Sequence, residues 1–222
     1  MCGRFAQPHS SEELARIFRA RPTVDLPGQR FNVAPTDEVA GVLEHHGERV
    51  IEPFRWGLVP WYADDRKSAA RLINARAETV ETTPAFRTSF AKRRLIIPAA
   101  AFYEWHRVEG RREPFAIRRI DGDPLALAGV WAVWRDSDTG ERVYTCSILT
   151  TVPNALVSPI HNRMPVILDP GDWDRWLSAE TAVRDLRALL FPLPAWELDA
   201  YPVSAAVNNV RNDGAELLER AG

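Results

Sequence analysis

The chain has 222 residues, 45% of them hydrophobic and 26% charged, and a net charge of −2. That composition supports a substantial core and excludes a disordered chain, and no apolar run is long enough to cross a bilayer. With no apolar leader and only two cysteines, Cys2 and Cys146, far apart in sequence, a reducing, cytoplasmic setting is expected and a structural zinc site is not.

Cys2 follows the initiator methionine in Met1-Cys2-Gly3-Arg4-Phe5. Removal of Met1 would put a thiol and a free α-amine on one residue, a pair that condenses with aldehydes to a thiazolidine. The α-amine titrates at about 7.7–8.0 and the thiol at about 8.5, so both are nucleophilic near neutral pH. A cysteine on a frayed terminus is the plain alternative.

Ser11 to Ala20 reads as an amphipathic helix with Leu14, Ile17 and Phe18 on one face, Ser10 or Ser11 as cap, and Glu12 and Glu13 in the first turn. Pro22, Pro27 and Pro35 mark an irregular connection through Phe31–Pro35. Val39–Leu43 and Val50–Trp56 read as strands around a turn at His45–Glu48. Trp61 and Tyr62 then fall in a loop. Pro84, Phe86 and Phe90 suggest a helix over Thr83–Lys92. Strands follow at Leu95–Trp105, Pro114–Arg119, Leu125–Trp134, Arg142–Thr151 and Pro165–Leu168, separated by Gly-containing turns. Asp172–Leu177 and Thr181–Leu190 read as helices, and a last strand lies near Tyr201–Val203. Cys146 sits in an apolar stretch suited to a buried strand. The order predicts a single α+β domain over residues 1–222, with a curved, mostly antiparallel β-barrel-like sheet and flanking helices.

Charge is uneven. Arg66 to Arg94 carries eight basic residues and two acidic ones, whereas the chain from Asp169 onward holds ten acidic and five basic. Such asymmetry permits a phosphate-binding face on a near-neutral protein, with Arg87, Lys92 and Arg93 read as solvated surface.

Four stretches are too polar or too aromatic for their surroundings. Asn74 and Arg76 follow a hydrophobic lead-in, where a turn asparagine and a solvent-facing arginine are as good an account as any function. Glu104 lies in the apolar string Phe102-Tyr103-Glu104-Trp105, so it must be paired, raised in pKa, or both. His161 lies between prolines beside Asn162 and Arg163, while His9, His45, His46 and His106 fall in stretches that read as exposed. Trp61 and Tyr62 beside the basic segment suit stacking on unpaired bases, or else core packing. No glycine-rich phosphate loop, zinc-protease motif, nucleophile elbow or dinucleotide fingerprint occurs, which predicts chemistry without cofactor or metal.

Taken together and in order, Cys2–Phe5, Phe31–Thr36, Arg55–Pro60, Asn74–Thr79, Phe102–Trp105 and His161–Pro165 closely resemble the SOS response-associated peptidase family, over about three-quarters of the chain. The resemblance implies a β-barrel-like domain that recognises abasic sites in single-stranded DNA and bonds to them through the N-terminal cysteine, protecting the lesion. The peptidase label implies self-removal of Met1, with removal by an aminopeptidase as the alternative that the sequence leaves open; a monomer, nucleoid-associated when on DNA and with abasic-site lyase activity as a companion, is also expected. Carried over by position, Cys2 is the nucleophile, with Asn74, Glu104 and His161 at active-site positions. Arg4, Arg76 and Arg163 match positions near the DNA backbone, and Trp61 and Tyr62 match aromatics that wedge against bases. Asn32 and Pro35 would shape the pocket around the terminus. The residues also leave open a cysteine peptidase using Cys2, His161 and Asn74, and a single-strand binder without covalent chemistry.

Overall fold

The computed structural model describes residues 2–221, and only the backbone of residues 67, 68 and 70. Met1, whose removal the sequence leads one to expect, and the Lys67 side chain lie outside the described residues. The strands are β1 (Phe5–Gln7), β2 (Arg21–Pro22), β3 (Arg30–Val33), β4 (Glu38–His45), β5 (Glu48–Trp56), β6 (Asn74–Arg76) and β7 (Arg94–Ala99). Then come β8 (Ala101–Val108), β9 (Arg111–Arg119), β10 (Leu125–Arg135), β11 (Arg142–Thr151), β12 (Met164–Pro165) and β13 (Leu198–Pro202). Four short helices, α1 (Ser11–Phe18), α2 (Arg87–Lys92), α3 (Trp173–Leu177) and α4 (Val183–Arg187), complete a mixed α+β fold.

The strands form two sheets. One runs β12-β11-β10-β7-β4-β5-β2, and β11 also pairs in parallel with β5 through Thr145↔Arg55 and Cys146↔Trp56. That pairing closes β11-β10-β7-β4-β5 into a barrel, and full closure removes the exposed strand edges of those five. The other sheet runs β13-β9-β8-β1-β3. The barrel-like expectation holds. The division into two sheets comes from a break at Ala100, inside the single strand read over Leu95–Trp105. There the Ala100 N–H donates to the Ala6 carbonyl, and the chain passes from the barrel to the second sheet.

Side-chain alternation sorts the core. Leu95, Ile97 and Ala99 of β7 pack in one apolar cluster with Phe54, Trp56, Cys146, Ile148 and the second sheet's Phe5, Phe102 and Ile117. Ile96, between them, packs in another with Leu14 and Phe18 of α1 and Trp173 and Trp176 around α3. This is the period of two expected of a strand buried on both faces. The sheets are stitched by Gln7, whose buried amide donates to the carbonyls of Ala40 and Pro98 and accepts from the Ala40 N–H.

Several elements differ from their sequence reading. Ser10 caps α1 in a reciprocal capping box with Glu13, as its composition suggested. The helix read from Thr83 begins only at Arg87, because the Thr82 and Thr83 hydroxyls donate to the Thr79 carbonyl and hold Pro84 in turns. The helix read over Thr181–Leu190 shortens to α4. Phe31–Val33 is strand, paired with β1, not an irregular connection. His9 and His106 are half-buried rather than exposed. Arg94 belongs to no basic face: it is 2% exposed, and its guanidinium donates to the carbonyls of Phe90, Ala91, Trp176 and Ser178.

Candidate functional site

Cys2 is fully buried, a rare state for a residue so near a chain end. The pairing of β1 with β3 and β8 pins the segment behind it, and its side chain joins the cluster shared by the two sheets. Asn74 reaches it from β6, which runs parallel beside β11 with Asn74 opposite Ile148. Nδ2 of Asn74 donates to the Cys2 carbonyl at 2.9 Å, and its Oδ1 is buried with no hydrogen-bond partner among the described residues. A buried polar atom left so costs about 1–3 kcal/mol and points to a ligand contact.

Glu104 sits on β8 two residues after Phe102, so both point to the same, buried face. It is 3% exposed, and burial raises its pKa, an effect that the charge of nearby His161 opposes. His161 Nδ1 lies 3.9 Å from Oε1 of Glu104. Burial, and then the negative charge of Glu104, push the Cys2 thiol far above its ordinary range, against a weaker effect of the Arg4 N–H. The thiol therefore holds its proton at neutral pH, with a carboxyl beside it that can exchange one.

The loop that carries His161 is built by Asn154, whose Oδ1 accepts from the N–H groups of Leu156 and Val157. The Val157 carbonyl in turn accepts from the N–H groups of Ile160 and His161. The Arg163 N–H donates to His161 Nδ1 at 3.0 Å. The Arg163 guanidinium is engaged with Glu78 and the Thr150 carbonyl, while its buried Nε has no hydrogen-bond partner among the described residues. Arg4 is similarly tied down: Nη1 donates to Asn32 Oδ1 and to the Val207 carbonyl, and Nε is buried without a partner among the described residues. Of the three arginines expected near a DNA backbone, only Arg76 projects into solvent.

Cys2, Asn74, Glu104 and His161 are thus brought together from four separate segments. One cleft of about 610 Å³ is lined by Arg76, Thr79, His161, Asn162 and Arg163, with Glu78. A second, of about 420 Å³, is lined by Gly3, Arg4, Trp105, Arg112 and Asn208. Trp61 and Tyr62 lie outside both clefts; at 70% and 51% exposure they face solvent, edge to face, which excludes the core-packing account. Asn32 supports the terminus indirectly: its Nδ2 donates to the carbonyls of Val207, Asn209 and Asn212, fastening the C-terminal segment beneath Arg4.

Sequence reasoning missed Arg112, Asn208 and the part played by Glu78. Glu78 lay within a string already singled out, whereas Asn208, which accepts from Trp105 Nε1–H at 2.7 Å, sits in a polar tail that carried no signal. The arrangement suits proton transfer and nucleophilic attack. Among the described residues there is no cluster of three or more His, Cys, Asp or Glu side chains that could hold a metal ion, and no helix is long and apolar enough to cross a membrane.

Comparison with known proteins gives consistent results. The family model described as SOS response associated peptidase (SRAP) matches residues 1–210. The abasic site processing protein YoaM of Bacillus subtilis (strain 168) is 37% identical over 224 residues, covering 99% of this chain and 98% of that protein. YedK of Escherichia coli (strain K12), which bears the same description, is 30% identical, with 99% of both chains covered. HMCES of Gallus gallus, likewise so described, is 34% identical over 98% of this chain and 77% of its own. A crystallised protein from Bacteroides thetaiotaomicron superposes with a TM-score of 0.90 at 24% identity, over 99% of this chain and 100% of that one. One from Bordetella bronchiseptica superposes at 0.79 and 30% identity, over 91% and 100%.

Proposed function

The chain belongs to the SOS response-associated peptidase family, and from that premise we propose that it processes abasic sites by bonding covalently to them in single-stranded DNA through Cys2. The observation that carries the proposal is the meeting of Cys2, Asn74, Glu104 and His161, with His161 in the wall of a cleft that Arg76 also lines and Gly3 and Arg4 in the wall of a second.

Loss of Met1, by the protein's own action, frees the Cys2 amine. The amine attacks C1′ of the ring-opened sugar, forming a carbinolamine. Glu104, whose carboxyl burial favours in its neutral form, donates a proton to the departing hydroxyl, which leaves as water, and the resulting carboxylate takes the proton from the nitrogen, giving the imine. Thiol sulfur then adds to the imine carbon while the thiol proton passes, by way of Glu104 or His161, to the imine nitrogen, closing the thiazolidine. Asn74 holds the Cys2 carbonyl and, through its unspent Oδ1, the forming amine. Closure removes the imine before β-elimination breaks the strand, so strand cleavage is a minor companion activity. Arg76, with Arg4 and Arg163 nearby, holds phosphates, and the exposed Trp61 and Tyr62 stack on bases.

A peptidase acting on foreign substrates fits less well, because a raised thiol pKa is the reverse of the thiolate that a cysteine protease prepares. The test is Cys2→Ala mixed with a uracil-excised, single-stranded oligonucleotide. The wild type is expected to give a mass adduct and a band that survives denaturing electrophoresis. The variant gives neither, and an undiminished band would sink the assignment.

A further inference from the structure

Glu78 takes no part in the steps above, yet it grips a residue that does. Nη1 of Arg163 donates to Oε1 of Glu78 at 2.5 Å and Nη2 to Oε2 at 2.9 Å, while Nη2 also donates to the Thr150 carbonyl at 2.5 Å. Such a fork fixes the guanidinium plane as well as its position. Hydrogen bonding from Arg163 also holds the Glu78 carboxyl below the usual range, so the fork stays charged at neutral pH.

The consequence appears at the other end of Arg163. Its backbone N–H lies 3.0 Å, and its carbonyl oxygen 3.2 Å, from the same atom, Nδ1 of His161. A neutral ring accepts from the N–H. A protonated ring donates to the carbonyl, with Glu104 Oε1 3.9 Å away. The backbone of one residue, through two successive peptide groups, therefore serves both charge states without the ring turning.

We propose that Glu78 is a positioning residue for His161: its fork on Arg163 holds the backbone N–H of residue 163 against Nδ1, so the neutral ring keeps one tautomer, with its proton on Nε2. The inference deepens the reading of His161 as a proton carrier and rests on it for its catalytic consequence. A purely structural ion pair would leave the tautomer alone. So would a carboxylate that merely competes with DNA phosphate for Arg163.

The test is Glu78→Gln, with Arg163→Lys as a second variant that keeps the charge and loses the fork; either one reads the same pair should the other fail to fold. Imidazole ¹⁵N shifts of the DNA-free protein are expected to report a single Nε2–H tautomer in the wild type and a mixture in both variants. Adduct formation should slow roughly tenfold, part of the ~10²–10⁴ that general acid–base assistance supplies. Unchanged shifts overturn the proposal, including the case in which Glu78→Gln merely binds undamaged single strands more tightly. If the wild type forms no adduct but the tautomers respond as expected, the positioning role stands and the covalent reading falls.

Discussion

Glu104 is ionised and solvated in the unfolded chain at neutral pH, but folding encloses it against Phe102 and beside His161. Its raised folded pKa means the native state binds more protons than the unfolded one across the window from about 4.3 upward. Stability contributed by this group therefore falls as pH rises through that window. Glu104→Gln, neutral and isosteric, is expected to raise the thermal midpoint at pH 7 and to leave it nearly unchanged at pH 4, while slowing adduct formation; calorimetry across pH checks the first part. The thiols act in the same direction at higher pH. Burial raises both Cys2 and Cys146, so stability should fall once the unfolded thiols ionise, above about 8.5. Asn74→Asp turns the donor facing the Cys2 carbonyl into an acceptor. Loss of about 1–2 kcal/mol at that contact predicts roughly tenfold slower crosslinking in single-turnover assays.

At the scale of elements, two positions join the barrel to what surrounds it. Gly57 leaves β5 at φ +126°, and a Cβ there would meet the Ala69 carbonyl oxygen at 2.5 Å. Gly57→Ala adds a clash to about 1–3 kcal/mol of backbone strain, and a lower urea midpoint would show it. Gln7→Ala would strip the buried Ala40 N–H and two carbonyls of their partner, costing about 1–3 kcal/mol for the lost bridge between sheets. These elements also show what was legible. Strands β4, β5, β10 and β11 announced themselves by apolar periodicity and intervening turns. β6 did not, because three residues carry no period; its pairing with β11 defines it. The break at Ala100 was hidden inside a continuous apolar run, since both neighbouring strands are buried.

Over the whole molecule the basic stretch counts for less than its sequence suggests. Arg94 is consumed by four carbonyls, and Arg66 pairs with Asp136 and Glu141. If the three arginines proposed as backbone contacts each neutralise one phosphate, single-strand affinity should fall with salt at a log–log slope of about −2, measurable by anisotropy. The C-terminal segment completes the opposite side. Asp213 accepts from the Phe31 and Asn32 N–H groups and pairs with Arg30, while Val207 and Leu217 are buried against Tyr103 and Tyr201. A chain ending at Val203 is expected to lose both urea stability and adduct formation, because Arg4 and Asn32 lose their carbonyl partners.

The sequence by itself determined the fold class, most strands and the family, and singled out the four side chains proposed to react, because periodicity, caps and an ordered set of short strings are local properties. Only the tertiary structure decided that Asn74 touches the Cys2 carbonyl, that Glu104 faces inward beside His161, and that Arg4 and Arg163 spend most of their donors within the protein. Those outcomes depend on which strands pair and which side chains meet across more than fifty residues of chain, and no local pattern encodes such distances.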